Sequence, residues 1–251
     1  MIAWREKFLA TTLHFAVTLL LTGIAAAIIF LVWFPHPMQS LIGGTELFLL
    51  VVSVDLALGP LMSLVIYNSR KSRRELITDY SIVAAIQLAA LVYGVMVVAG
   101  ARPVYYAFDT DRYEIVSAAD LRKEELALAK DPQYAKLPWT GPRIVSVSIP
   151  PAEMQDAVAQ AVSGNETHLR PRFYAPLSAK LDVIRAKAGK IADLEAKFPA
   201  QKPLLEKALA DVKVPADRIA WLPAHHLKGF ATVIIDTSDG RPLAWADFDP
   251  Y

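Results

Sequence analysis

Ser53-Val54-Asp55-Leu56-Ala57-Leu58-Gly59-Pro60-Leu61-Met62-Ser63-Leu64-Val65-Ile66-Tyr67, followed at once by Asn68-Ser69-Arg70-Lys71-Ser72-Arg73-Arg74, decides how the rest of the chain is read. It begins inside an apolar run that starts near Leu47 and is long enough to cross a bilayer, for which about 20 residues suffice. One carboxylate, Asp55, lies within the run, and Gly59-Pro60 follows a turn later. Arg70, Lys71, Arg73 and Arg74 close it. An acid at membrane depth, a helix-weakening pair and a basic stop predict a topology and an interior-facing site.

Two further apolar runs flank this one. The first goes from about Phe8 to Phe34, too long for the apolar core of a signal peptide, with Trp4 and Trp33 at its ends as interfacial aromatics. The third goes from about Tyr80 to Gly100. The connector from Pro35 to Thr45 carries no Lys or Arg, whereas Arg5 and Lys7 precede the first run and the basic cluster follows the second. The positive-inside rule then places the N-terminus and the second connector in the cytoplasm. Three spans put residues 101–251 on the opposite face, the periplasm of a Gram-negative cell. The expected architecture is a membrane α-helical half, residues 1–100 with three transmembrane helices, and a periplasmic α+β domain, residues 101–251.

Asp55 is the one carboxylate well inside a run, and such a group faces a protein interior and finds a partner. At about 1.5 Å rise per residue it lies ~18 Å from the cytoplasmic end of its helix, Tyr93 ~20 Å up the third span and Gln87 ~11 Å. Tyr93 is therefore the better-placed donor and Gln87 the second. His14 lies too low on the first span for easy direct contact with Asp55. Pro60 lacks a backbone N–H, so a carbonyl is freed near Leu56 and a kink is expected within a turn of Asp55. The candidate intramembrane site is Asp55, Gly59, Pro60, Gln87 and Tyr93. Two roles stay open for Asp55: recognition of a partner, or a hydrogen bond that only holds the bundle together.

The remainder reads as an ordinary mixed sequence. Val104–Phe108 and Arg112–Val116 form a hairpin around Asp109-Thr110-Asp111, and a helix is expected over Ala118–Lys130. A strand over Ile144–Ile149 precedes a helix over Ala152–Val162. Leu181, Ile184, Ala188, Ile191 and Leu194 predict one long polar helix from Ser178 to Lys197, followed by a second from Lys202 to Val212. Arg218–Leu222, Gly229–Asp236 and Leu243–Phe248 complete the strands. His225-His226 is expected as an exposed loop pair, and Arg170-Pro171-Arg172-Phe173-Tyr174 as a basic, aromatic loop.

Composition narrows the function classes. A net charge of +1 over 251 residues argues against bulk nucleic-acid binding. The absence of cysteine excludes disulfides and thiolate metal sites or nucleophiles. No phosphate loop, serine elbow, metalloprotease motif or calcium-loop spacing occurs. No catalytic, cofactor-binding or metal-ligating residue is nominated, and no cofactor is expected.

Asp55-Leu56-Ala57-Leu58-Gly59-Pro60-Leu61, with Gln87-Leu88-Ala89-Ala90-Leu91-Val92-Tyr93-Gly94, Arg102-Pro103 and the final Asp247-Phe248-Asp249-Pro250-Tyr251, resembles the type IV pilin accessory proteins (the TfpX/TfpZ, FimB-like group) of Gram-negative bacteria. The resemblance covers the membrane half closely and the second half mainly at its two ends. It implies a non-enzymatic inner-membrane protein whose partners are the type IV major pilin and the lipid bilayer. It also implies a pilin held in the membrane by one apolar helix, with its head in the periplasm. A membrane-anchored periplasmic sensor or ligand-binding module is the alternative, and the short cytoplasmic loops count against it.

Overall fold

The computed structural model describes residues 4–68 and 71–251, without the side chains of Trp4, Glu6, Lys7, residues 54–58, Pro60 and Leu64. Ser69 and Arg70 of the basic cluster therefore lie outside the described residues. The chain divides into two compact units, Met1–Ala101 and Arg102–Tyr251.

The first unit is helical. α1 (Trp4–Ile28) ends in a wider π-helical turn, Ile29–Trp33, closed by a Phe34 N–H to Ile29 carbonyl bond of 2.8 Å. Pro35 and Pro37 follow and stop it, since neither has an N–H to donate. A short α2 (Met38–Leu41) occupies the connector. α3 (Gly44–Ile66) runs unbroken across Gly59-Pro60. α4 (Arg73–Ala101) starts well before Tyr80, where the apolar run begins, because Ser72 and Glu75 cap it reciprocally. The Glu75 N–H donates to Ser72 Oγ at 3.3 Å and the Ser72 N–H to Glu75 Oε2 at 2.7 Å, satisfying two of the helix's orphan donors.

α3 packs against both α1 and α4. At one end Ile29, Trp33 and Phe34 meet Phe48 and Val52 of α3 and Val98 of α4 in a buried cluster. At the other His14, Ser63 and Gln87 meet. These contacts make α3 antiparallel to its neighbours, so α1 and α4 run in the same direction. Leu9, Leu13, Leu20 and Leu31 on α1 and Ile86, Val92 and Met96 on α4 remain exposed. A helix apolar all round with its large side chains outward suits a lipid solvent. Phe8–Trp33 and Arg73–Ala101 are long and apolar enough to cross a membrane, as residues described in full.

The second unit is built on a seven-stranded mixed sheet, in the order β4-β3-β1-β2-β5-β6-β7. β1 (Pro103–Asp109) and β2 (Arg112–Ser117) form the expected hairpin, with Tyr106 opposite Ile115. The region expected as one helix from Ala118 is a 3-10 turn, Ala118–Asp120, and a short α5 (Lys123–Ala127). Asp120 turns back to accept from the Ser117 N–H at 2.9 Å, a reciprocal cap on the start of the turn. β3 (Arg143–Val147) lies parallel to β1. α6 (Met154–Val162) follows a 3-10 turn begun by Pro151, and β4 (Tyr174–Ala175) pairs antiparallel with β3.

The long helix expected over Ser178–Lys197 is two, α7 (Leu181–Lys187) and α8 (Ile191–Lys197). Between them Gly189 forms a bridge with Trp221, each N–H donating to the other's carbonyl at 2.9 Å. α9 (Lys202–Leu209) leads to β5 (Ile219–His226), β6 (Gly229–Asp236) and β7 (Pro242–Ala246), an antiparallel meander. β5 continues past Pro223, where the sequence suggests a stop. Its pairing with β2 is confined to Ala224 and His225, so the proline sits just beyond that ladder. Tyr105, Tyr134 and Tyr174 pack edge to face in the core on one side of the sheet. Leu194, Leu205, Ile234 and Phe248 form a second cluster under α8 and α9.

Candidate functional site

Three helices contribute one polar side chain each to a cluster inside the apolar unit. His14 Nδ1 lies 2.6 Å from Ser63 Oγ, and His14 Nε2 lies 2.7 Å from Gln87 Oε1. With the amide oxygen facing the ring, the imidazole carries its proton on Nε2, donates to Gln87 and accepts from the Ser63 hydroxyl. Both ring nitrogens are then satisfied, as burial among apolar side chains demands. Tyr80 adds its ring at 6.2 Å from that of His14.

Gly59 makes this contact possible. A Cβ at Gly59 would fall 2.5 Å from Gln87 Nε2 and 3.5 Å from His14 Nε2, so only the bare Cα lets α3 approach the amide. Positions 55, 59 and 63 recur at intervals of four and share one side of α3. The side chains of Asp55 and Pro60 lie outside the described residues. Of the other three nominated residues, Gly59 and Gln87 are brought together. Tyr93 is not. It is 70% exposed on another side of α4, beside Leu47, Val51 and Val97.

His14 and Ser63 were not nominated from the sequence. A signal existed: Ser63 repeats the spacing of Gly59 by one turn, and His14 is the one imidazole within the first run. Their pairing depends on how the helices cross, which no local pattern carries. Around the cluster Thr11 Oγ1, the Tyr80 hydroxyl and Gln87 Nε2 are buried and have no hydrogen-bond partner among the described residues. A groove of about 410 Å³ runs beside it between α1, at Ala10, His14 and Leu21, and α4, at Tyr80, Gln87 and Leu91.

The second unit holds a buried carboxylate. Glu114 on β2 accepts from Arg112 Nε at 2.7 Å and from His225 Nδ1 at 2.8 Å, tying β2 to β5. His225-His226 is therefore part of a strand and not a loop. His225 is partly exposed and paired, while His226 is buried and accepts the Lys228 N–H at 3.2 Å. Burial pushes the His226 imidazole below its usual range. In the Arg170–Tyr174 segment both guanidinium groups lie over Phe173, at 4.6 and 5.0 Å, and both reach Asp156. Among the described residues no three metal-ligating side chains converge. These groups brace the sheet.

The family model described as "Fimbrial assembly protein FimB" matches residues 2–43. The chain is 30% identical over 214 residues to the "Fimbrial assembly protein, serogroup I" of Dichelobacter nodosus, covering 84% of this chain and 83% of that protein. The serogroup E1 protein of the same organism matches to the same extent. The protein of serogroups C1 and C2 is 37% identical over 117 residues, 47% of this chain and 89% of that protein. No solved structure matches. A likeness over 84% of the chain necessarily enters both units. The chain belongs to the FimB-like fimbrial assembly proteins, a family of pilus biogenesis.

Proposed function

We propose that this protein is a non-enzymatic accessory of type IV pilin in the bacterial inner membrane. Its helices hold the pilin's single apolar helix before or during assembly, and residues 102–251 contact the pilin head in the periplasm. The observation that carries this reading is the likeness to fimbrial assembly proteins through both the apolar and the sheet-bearing unit. In this reading α3 is a third span. Its 23 residues give a length of about 34 Å, enough for the hydrocarbon core of a bilayer. The charge asymmetry of the short loops puts the N-terminus in the cytoplasm and the second unit outside it.

Asp55 belongs to the same proposal, on the side of α3 that carries Gly59 and Ser63. A carboxyl at that depth is costly unless protonated or paired, and an incoming helix is one source of a partner. The test is replacement of Asp55 by leucine in the native host, with pilus number and pilin level as readouts. The proposal expects both to fall while the protein itself persists in the membrane. Unchanged piliation would remove Asp55 from the site.

A further inference from the structure

We infer that the end of the sheet at which the chain enters from α4, where Trp139, Leu227 and Lys228 stand, lies against the headgroup layer of the bilayer. This rests on the reading of α4 as a span and adds a lipid-contacting surface to the second unit. Residues 80–101 carry no charged side chain, and at about 1.5 Å per residue they measure roughly 33 Å, the hydrocarbon thickness of a bilayer. Arg102 is the first charge after them, and Pro103 already begins β1. One residue therefore joins the span to the sheet. At no more than about 3.8 Å per residue, that tether cannot lift this end of the sheet away from the headgroups.

The strand registers say what else stands there. Pro103 pairs with Ser117, and β5 runs parallel to β2 with His225 opposite Glu114. Carried forward, that register brings the β5–β6 turn, Leu227-Lys228, level with the end of β2. β3 lies parallel to β1 with Arg143 opposite Tyr105, so the loop before it comes level with Arg102. There Arg102 Nη2 donates to the Pro138 carbonyl at 3.4 Å, and the guanidinium lies 5.8 Å from the centre of the Trp139 ring. Trp139 is still 65% exposed, and Leu227, at 98%, is the most exposed large apolar side chain among the described residues. A two-residue hairpin turn favours Asn, Asp or Gly, so a leucine at its tip is not chosen for the turn. An indole stacked on a guanidinium is amphipathic and settles between hydrocarbon and water, as aromatic belts do. Lys228 can keep its ammonium among the phosphates while its stem lies beside Leu227. Net charge does not select the surface, because the exposed Asp247 and Asp249 follow β7 at the same end. The tether selects it, by holding these side chains at the membrane into which α4 inserts. The turns at residues 109–111 and 237–240, at the opposite end of the sheet, then face water.

The chain has no cysteine, so each cysteine introduced for a nitroxide label is unique. The test uses the full-length protein in vesicles of phosphatidylethanolamine and phosphatidylglycerol. Labels go at Leu227→Cys or Thr140→Cys, with Thr110→Cys and Asp217→Cys at the far end and Ile86→Cys on α4 as references. Collisions of the label with oxygen, which concentrates in lipid, are compared with collisions with a water-soluble nickel chelate. The expected oxygen-to-nickel ratio at positions 227 and 140 is several-fold above that at 110 and 217 and below that at 86. Leu227→Gln should lower the ratio at 140, Leu227→Phe should preserve it, and high salt should leave it unchanged. Water-like ratios at 227 and 140, with a lipid-like ratio at 86, would overturn the contact and leave the span standing. A water-like ratio at 86 as well would defeat the span reading too. Labels at 227 and 140 shielded from both collision partners would mean that a second copy covers this end, which also overturns the proposal. So would a ratio that collapses in high salt.

Discussion

Gly59 is the residue on which the helical unit's polar contact turns. Any side chain there must displace the Gln87 amide, which sits 2.5 Å from where its Cβ would be. Gly59→Leu is expected to cost about 2 kcal/mol by overpacking, read as a lower melting temperature in detergent. Gly23→Leu, where nothing lies within 4 Å, should be near neutral. In the second unit Asp236 is 5% exposed and accepts from Arg218 Nη2 at 2.5 Å and the Ser238 N–H at 2.8 Å. Burial alone would raise its pKa, but the Arg218 and Ser238 bonds outweigh that and bring it to about 2. A depressed folded-state pKa means stability that is full above the unfolded value of roughly 4. That stability is lost as pH falls through about 2. Acid titration followed by circular dichroism should show this loss, and Asp236→Asn should abolish that component while lowering stability at pH 7. The sequence made Gly59 visible through its pairing with Pro60, and Gln87 because an amide is unusual inside an apolar run. It hid His14–Ser63, since only the crossing of α1 and α3 makes neighbours of residues 49 positions apart.

Elements divide in the same way. The helices of the first unit were legible because long, unbroken apolar runs mark them by hydropathy alone. Their ends were less so: α4 starts early because of the Ser72–Glu75 capping pair and the Lys71–Asp79 ion pair at 2.5 Å, both outside the apolar pattern. The break between α7 and α8 was illegible for a different reason. Leu181, Ile184, Ala188, Ile191 and Leu194 keep helical spacing through the whole stretch, and Ile184 and Leu194 are indeed buried. The backbone exchange between Gly189 and Trp221 overrides that pattern. A Cβ at Gly189 would sit 2.4 Å from the Trp221 indole nitrogen, so Gly189→Val should destabilise the unit by about 2–3 kcal/mol in chemical denaturation. A loss below about 0.5 kcal/mol would mean that the bridge is dispensable.

At the scale of the whole molecule, the order of the sheet lay beyond any local reading. β2 meets β5 through Glu114 and His225, 111 positions apart, and local strand patterns carry no record of such pairing. Function was more legible than topology. The Asp55–Leu61 segment carried the resemblance, and the likeness to fimbrial assembly proteins then extended over most of the chain. The central claim is that this protein holds pilin in the membrane. The most direct measurement is purification of the tagged full-length protein from its native membrane in mild detergent, with quantitative mass spectrometry of what accompanies it. The account predicts the major pilin as the dominant partner, with recovery falling when residues 102–251 are removed. A preparation free of pilin, even after crosslinking in intact cells, would contradict it.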